Sequence, residues 1–269
     1  HPGYIILGDA IAAVSGKPYD QFVRETLIDP LKMESAFFEP ETSRARPFAK
    51  SYVSGREQPP LPLNGVLPAA GMYGSVLDLA AFAKMVFAGG NVDGQQLFRP
   101  ETIQEMFRPQ NEDVPMDGSY RVGLGWMLSE SWITGVGPTA GHEGHFNNYS
   151  TKLLLLPEHK LGVVVLANSV DAGYLVGTVA DEILRAVLAE KKGVYPGFGI
   201  SRTPAAKVSV PQESLDRLAG FYSTHMGIIQ VTPKKNRLLA RTPEAKLELI
   251  PLENGFFSVK YSLLGLFPV

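Results

Sequence analysis

His142, Glu143, Gly144 and His145, inside the stretch GHEGHFNNYS (141–150), bring two imidazoles and a carboxylate into consecutive positions. Such groups can ligate a metal, move a proton for a nucleophile, or bind a substrate carboxylate. Metal binding of the zinc-protease kind needs histidines at i and i+4 on one helix face, with the acid between them. Here the histidines are three apart, and glycines flank and interrupt them, so a helix is disfavoured. On a strand, the two side chains point to opposite faces and cannot share one ion. The spacing therefore predicts no metal site, and no cofactor is implied. His142 keeps two readings: a member of a cleft's proton network, or a histidine that only bonds a backbone carbonyl. Glu143 reads as a solvent-facing or network carboxylate. Asn147, Asn148 and Tyr149 read either as the mouth of a cleft or as polar residues where a strand begins.

The flanking sequence predicts the elements that must hold this stretch. After it, YSTKLLLLPEHKLGVVVLANS reads as two strands joined by a turn at Pro157 to Lys160. Both runs are apolar throughout rather than alternating, which places them in a sheet covered on both faces. A helix is expected from about Ala172 to Glu190. Earlier in the chain, Tyr4, Leu7, Ile11 and Val14 have helical spacing, and Gly16 is a C-cap. Pro18 opens a second helix with Phe22, Val23 and Leu27 inside, ending near Pro30. SVLDLAAFAKMVFAGG is the clearest helix. Ser75 and Asp78 have capping-box spacing, Leu79, Phe82, Ala83 and Val86 form its buried stripe, and Gly89 with Gly90 ends it. A shorter helix starts at Pro100. YRVGLGWML reads as a strand whose glycines admit a close neighbour. Residues 40–70, rich in proline and polar groups, read as a long surface excursion in which Tyr52 could wall a cleft. His159, in the hairpin turn, reads as solvated, and Trp126 as core.

Composition narrows the function classes. The 269 residues are 45% hydrophobic and 19% charged, enough for a substantial core, and the net charge of −2 leaves no footprint for nucleic acid. With no cysteine, disulfides, thiol catalysis and thiolate metal sites are excluded. No apolar run reaches bilayer-spanning length. The charge is not uniform: residues 201–269 hold nine basic and five acidic side chains, net +4, against net −6 before them. The short patterns GIIQVTP, RLLART, KLELIPL and FFSVKY recur there between turn residues and predict a small antiparallel β domain. The expected organisation is a first domain over 1–192, a glycine- and proline-bearing linker over 193–210, and the β domain over 211–269. The chain begins at His1 almost inside a helical pattern and stops within a strand-like one. We expect a piece of a longer protein, with the last domain truncated.

Several segments together resemble one family. PGYIILGDAIAAVSGKPYDQFVRETLIDPLKM, PAAGMYGSVLDLAAFAKMV, GLGW and VVVLANS follow in the order and spacing seen in class C β-lactamases and their relatives. Those relatives include penicillin-binding carboxypeptidases, D-amino-acid peptidases and β-lactamase-fold esterases. The resemblance covers about residues 2–190 and implies an α/β (α+β) fold, an antiparallel sheet covered by helices. It implies an acyl-enzyme serine hydrolase acting on an ester, β-lactam or D-amino-acid peptide, in a periplasmic or secreted setting. Within it, His142-Glu143-Gly144 matches the family's Lys-Thr-Gly position on the edge strand of the active site. His142 would then bind a substrate carboxylate or share the proton network, and Gly144 would let substrate approach. The amide of His145 would be an oxyanion-hole donor. Glu143, Asn147, Asn148 and His1 are candidate substrate-binding residues. His1 falls where the asparagine of the family's Tyr-x-Asn motif would stand, so the tyrosine would precede the chain. No serine here has lysine three positions on, and no Tyr-x-Asn occurs. The nucleophile is therefore expected upstream, and the alternative is a catalytically silent binding relative. LAGFYST and the strands after it resemble the small lipocalin-like barrel appended to some members, which can lie near the active site or mediate assembly into oligomers.

Overall fold

The apolar run after GHEGHF forms the centre of the sheet that carries it. In the computed structural model, β6 (Ala140–Phe146), β7 (Tyr149–Leu156) and β8 (Leu161–Ala167) are antiparallel neighbours in that order. The structure describes residues 2–38, 48–59, 65–114, 117, 120–128, 133–198, 207–224, 227–235, 237–241, 246–252, 257–263 and 267–268. They fall into two compact units, His1–Ile200 and Ser201–Val269.

Strand alternation splits the core of the first unit into two clusters, one on each side of this sheet. Ala140 and Leu155 join Ile28, Leu31, Met33, Phe38, Met85, Val86 and Trp126 on one side. Leu154, Leu156 and Val163 join Ala180, Leu184 and Leu188 on the other. Leu154, Leu155 and Leu156 are all at 0% exposure, so β7 is covered on both faces, as its unbroken apolar run requires. Each fully buried leucine contributes about 1.5–3 kcal/mol.

Helices supply the two coverings. The first side is packed by α2 (Tyr19–Val23, continued by a π-turn through Ile28), α3 (Leu67–Ala70), α4 (Val76–Phe87) and α5 (Pro100–Met106), while α1 (Pro2–Ser15) lies against α2 and α3. In α4, Ser75 Oγ accepts from the Asp78 amide at 3.2 Å, and Asp78 Oδ2 accepts from the Ser75 amide at 2.7 Å, completing the capping box. Asp78 is buried because its other oxygen also accepts from the Ser35 amide. The second side is packed by α6 (Gly173–Lys192), whose Val176, Ala180, Leu184 and Leu188 recur at every fourth residue.

Two expectations change, and the apolar stripe of one expected helix turns outward. The stripe on α1 faces outward among the described residues: Tyr4, Leu7 and Val14 are exposed, and only Gly8 is buried, against Pro68. YRVGLGWML is a tight turn rather than a strand: Val122 bridges Met127, and Met127 bridges Gly141. The 40–70 excursion contains a hairpin, β1 (Ser51–Val53) and β2 (Arg56–Gln58), turned through Ser54 and Gly55 at positive φ. It is held beside the sheet by Tyr52 N–H to the Asn168 carbonyl at 2.9 Å and by Ser54 N–H to Asp171.

Two smaller pairings complete the first unit. One is the hairpin β3 (Asn91–Val92) with β4 (Gln95–Gln96), and the other is β5 (Ile133–Thr134) with β9 (Gly197–Phe198). The second unit is an antiparallel meander in which each strand pairs with the next: β10 (Gly220–Thr224), β11 (Gly227–Lys234), β12 (Arg237–Arg241), β13 (Lys246–Pro251), β14 (Phe257–Leu263) and β15 (Phe267–Pro268). The short helix α7 (Gln212–Asp216) adds Leu215 to a core with Val231, Leu238 and Ala240.

Candidate active site

Strand β6 ends in a two-residue turn. Asn147 and Asn148 have φ of 52° and 65°, and Phe146 pairs with Tyr149 across them. That is the left-handed pair a type I′ hairpin needs, and asparagine is among the residues that adopt it at least cost. Both side chains are committed locally. Asn147 Nδ2 donates to Tyr73 Oη at 2.8 Å, and Asn148 Nδ2 donates to Ser51 Oγ at 3.4 Å. Asn147 is buried, and Tyr73 stacks on Phe37 with centroids 5.0 Å apart. Burial raises the Tyr73 phenol above its usual pKa, while the bond from Asn147 opposes that. Tyr149, raised first by burial and then by Tyr73, donates to the Ala49 carbonyl. These residues pin the hairpin against the 48–58 segment.

The turn also fixes which way each β6 amide points. In a two-residue hairpin the flanking pair is hydrogen-bonded, so Phe146, Gly144 and His142 bond to β7, while His145, Glu143 and Gly141 point away. Gly141 confirms the parity independently, because it exchanges both backbone bonds with Met127 on the outer side, at 2.8 and 2.9 Å. The N–H of His145 therefore points to the outer edge of the sheet. Gly144, beside it, carries no side chain there; a Cβ would come within 2.5 Å of Thr151 Oγ1.

Side chains alternate on the same parity. His142 is exposed on the face of Ala140 and Leu155, and its Nδ1 lies 2.6 Å from the Glu143 carbonyl. A carbonyl only accepts, so Nδ1 carries a proton, and in the neutral ring Nε2 is left as the acceptor. Glu143 and His145 lie on the opposite face, beside α6, with their side chains 35% and 41% exposed. Glu143 Oε1 accepts from Lys152 Nζ at 3.1 Å, and Oε2 lies 3.4 Å from His145 Nε2. His145 Nδ1 lies 3.4 Å from Ser150 Oγ. Gly173 and Gly177 of α6 leave the room: a Cβ on either would approach His145 or Glu143 to 3.3 Å.

Ser150, His145 and Glu143 follow one another like a nucleophilic relay. Two facts argue against that use. Ser150 is at 0% exposure, and its hydroxyl faces the Val170 carbonyl at 3.4 Å, so no substrate carbonyl can reach it. No group of three metal-ligating side chains occurs among the described residues.

The structure thus separates the residues singled out from sequence. His142, Gly144 and the His145 amide share the outer edge. Glu143 lies behind the strand, Asn147 and Asn148 hold its turn, and His1 lies outside the described residues. Lys152 was missed, although its signal was present: one lysine preceding four leucines in an inward-facing run implies a buried charge with a partner. His159, read as solvated, lies with Nε2 3.2 Å from the Val136 carbonyl.

Comparison with known proteins places this edge in context. The β-lactamase family model matches residues 1–186. The chain belongs to the β-lactamase family. That is a family of serine hydrolases, and its members include penicillin-binding proteins and carboxypeptidases. The chain is 29% identical to penicillin-binding protein 4 of Amycolatopsis lactamdurans over 203 residues, covering 71% of this chain and 51% of that protein. It is 24% identical over 190 residues to an Escherichia coli O157:H7 protein provisionally named a D-alanyl-D-alanine carboxypeptidase, covering 61% and 43%. The octameric penicillin-binding protein homologue from Pyrococcus abyssi matches with a TM-score of 0.60 and 25% identity, over 98% of this chain and 58% of that one. The chain spans about half the length of these curated relatives. Its β-lactamase-family region takes in all of α1 to α5, the sheet β6 to β8 and most of α6.

Proposed function

We propose that this chain is the C-terminal part of an acyl-enzyme serine hydrolase that cleaves an ester or a D-amino-acid peptide amide. The observation that supports it most is the outer edge of β6. There the His145 amide points outward, Gly144 leaves room beside it, and the His142 ring is exposed. In this reading the substrate carbonyl lies against the edge and the His145 N–H accepts its developing negative charge. His142 Nε2 bonds the substrate carboxylate when protonated, or shares the proton leaving the nucleophile when neutral. The attacking serine and its lysine come from residues of the full-length protein outside these 269, since no Ser-x-x-Lys occurs among them. Residues 1–192 are the hydrolase part, 193–210 a linker, and 211–269 a small barrel-like domain.

The test is covalent labelling of the full-length protein with a fluorescent penicillin and with a fluorophosphonate, followed by peptide mapping. An adduct on a serine outside these 269 residues is the expected result. Folded protein that labels with neither probe would refute acyl-enzyme chemistry. It would leave the second reading, a binding protein for the same peptides, which the absence of Ser-x-x-Lys here favours. In a protein that does label, His142→Ala lowers turnover by about ten-fold, or ~1.4 kcal/mol in barrier. An unchanged rate would make His142 structural.

A further inference from the structure

We infer that the protein's own chain at Trp126 and Met127 limits the length of the leaving group to two residues beyond the scissile carbonyl. The inference rests on the reading of the His145 amide as the oxyanion donor of a hydrolase.

The outer edge of β6 is not open along its whole length. Gly141 commits both of its backbone groups to Met127, at 2.8 and 2.9 Å, in an antiparallel bridge. In that register Trp126 comes opposite His142. The chain then turns away before the level of Glu143. Gly125, at φ 78°, lies in the turn that brings Val122 back beside Met127. A Cβ built on Gly125 meets nothing within 4 Å, so there is open space beside this turn.

A substrate that adds antiparallel to β6 runs in the same lane as this chain. The residue whose carbonyl meets the His145 N–H lies opposite His145. The next two lie opposite Gly144 and Glu143, and the outward N–H of Glu143 can bond the second of them. A third would lie opposite His142, where Trp126 already stands. Two residues of extended chain span about 7 Å, and that is the lane left to the leaving group.

The stop is anchored on the side away from β6. The Leu124 N–H donates to the Met106 carbonyl at the end of α5 at 3.0 Å, and the Leu128 N–H to the Arg121 carbonyl at 2.8 Å. Trp126 is 4% exposed, with its ring 6.1 Å from that of Phe82 and 5.4 Å from that of Phe107. Moving Met127 off Gly141 would break two backbone bonds and disturb this ring cluster. A longer leaving group must therefore bend off the edge.

The experiment uses the full-length protein and phenylacetyl-glycyl esters whose leaving group is glycolate followed by zero to four prolines. Proline keeps the leaving chain extended, so that it does not fold aside as glycine would. kcat/KM is expected to hold within about three-fold for glycolate and glycolyl-proline, then to fall about ten-fold or more at glycolyl-proline-proline. Met127→Pro removes the N–H that bonds the Gly141 carbonyl, and should raise the rate for two prolines relative to one by about five-fold. If that variant does not fold, the wild-type profile alone decides. A flat profile through four prolines would overturn the proposal. So would a step at any other length, or an unchanged ratio in folded Met127→Pro. If wild-type protein labels with neither penicillin nor fluorophosphonate, the hydrolase reading fails and this inference with it. If it labels and the profile is flat, or it cleaves none of the esters, only this inference fails.

Discussion

The two faces of β6 carry similar chemistry to different ends. On the face of Leu155, His142 is exposed, with its ring bonded to the neighbouring Glu143 carbonyl. On the face of α6, Glu143 and His145 are tied to Lys152 and Ser150. A histidine two or three residues from another acidic or basic group is therefore not one kind of feature. Parity on the strand decides which face it meets. The front of the strand holds groups with spare bonding capacity. On the back, Glu143 and His145 bond to groups of the protein while their side chains stay 35% and 41% exposed.

The comparison breaks or sharpens by substitution on each face. The largest effect is expected at Gly144. Gly144→Ala puts a methyl group where substrate must approach, and its Cβ requires that Thr151 Oγ1, 2.5 Å away, move and give up its bond to the Gly144 carbonyl. kcat/KM should fall by 100-fold or more, ~2.7 kcal/mol, with native circular dichroism. Activity retained within ten-fold would mean that substrate does not use this edge. Next is Lys152→Met, read for stability rather than rate. Removing one partner of a buried pair is costly, but Glu143 is about one-third exposed and can rehydrate, so about 2 kcal/mol is expected in urea unfolding. A neutral result would mean that the pair is dispensable and that the back face is less committed than its geometry indicates. The smallest is Asn147→Ala, which loses the bond to Tyr73 and puts alanine at positive φ, for about 1 kcal/mol. Its stability loss should come without a change in KM. A raised KM would put Asn147 back at the cleft mouth.

Much of the scaffold was legible before any coordinates. The capping box at Ser75 and Asp78, the paired glycines after α4 and the apolar strand pair follow local rules of spacing and backbone freedom, and they appear as those rules require. The helix read at α1 forms and ends before Gly16 at φ 69°, but helical spacing says only which residues share a face, not what covers it. YRVGLGWML failed as a strand because Gly125, at φ 78°, serves a turn, although Gly123 does admit a close neighbour, the Met106 carbonyl. At the site, strand alternation alone separated His142 from His145. It could not say which face would be open, because that depends on α6, thirty residues further on. Lys152 was the missing clue: a charge in a leucine run marks the covered face, and hence assigns Glu143 to it.

Gly177 makes one consequence concrete for engineering. Glycine inside a helix costs about 1 kcal/mol relative to alanine, so this position in α6 is one that a stabilisation screen would select. Alanine there would press on Glu143 Oε1 from 3.3 Å. The gain in helix propensity would then be set against displacement of a carboxylate that Lys152 holds. Heat tolerance and the integrity of a buried ion pair meet at one glycine.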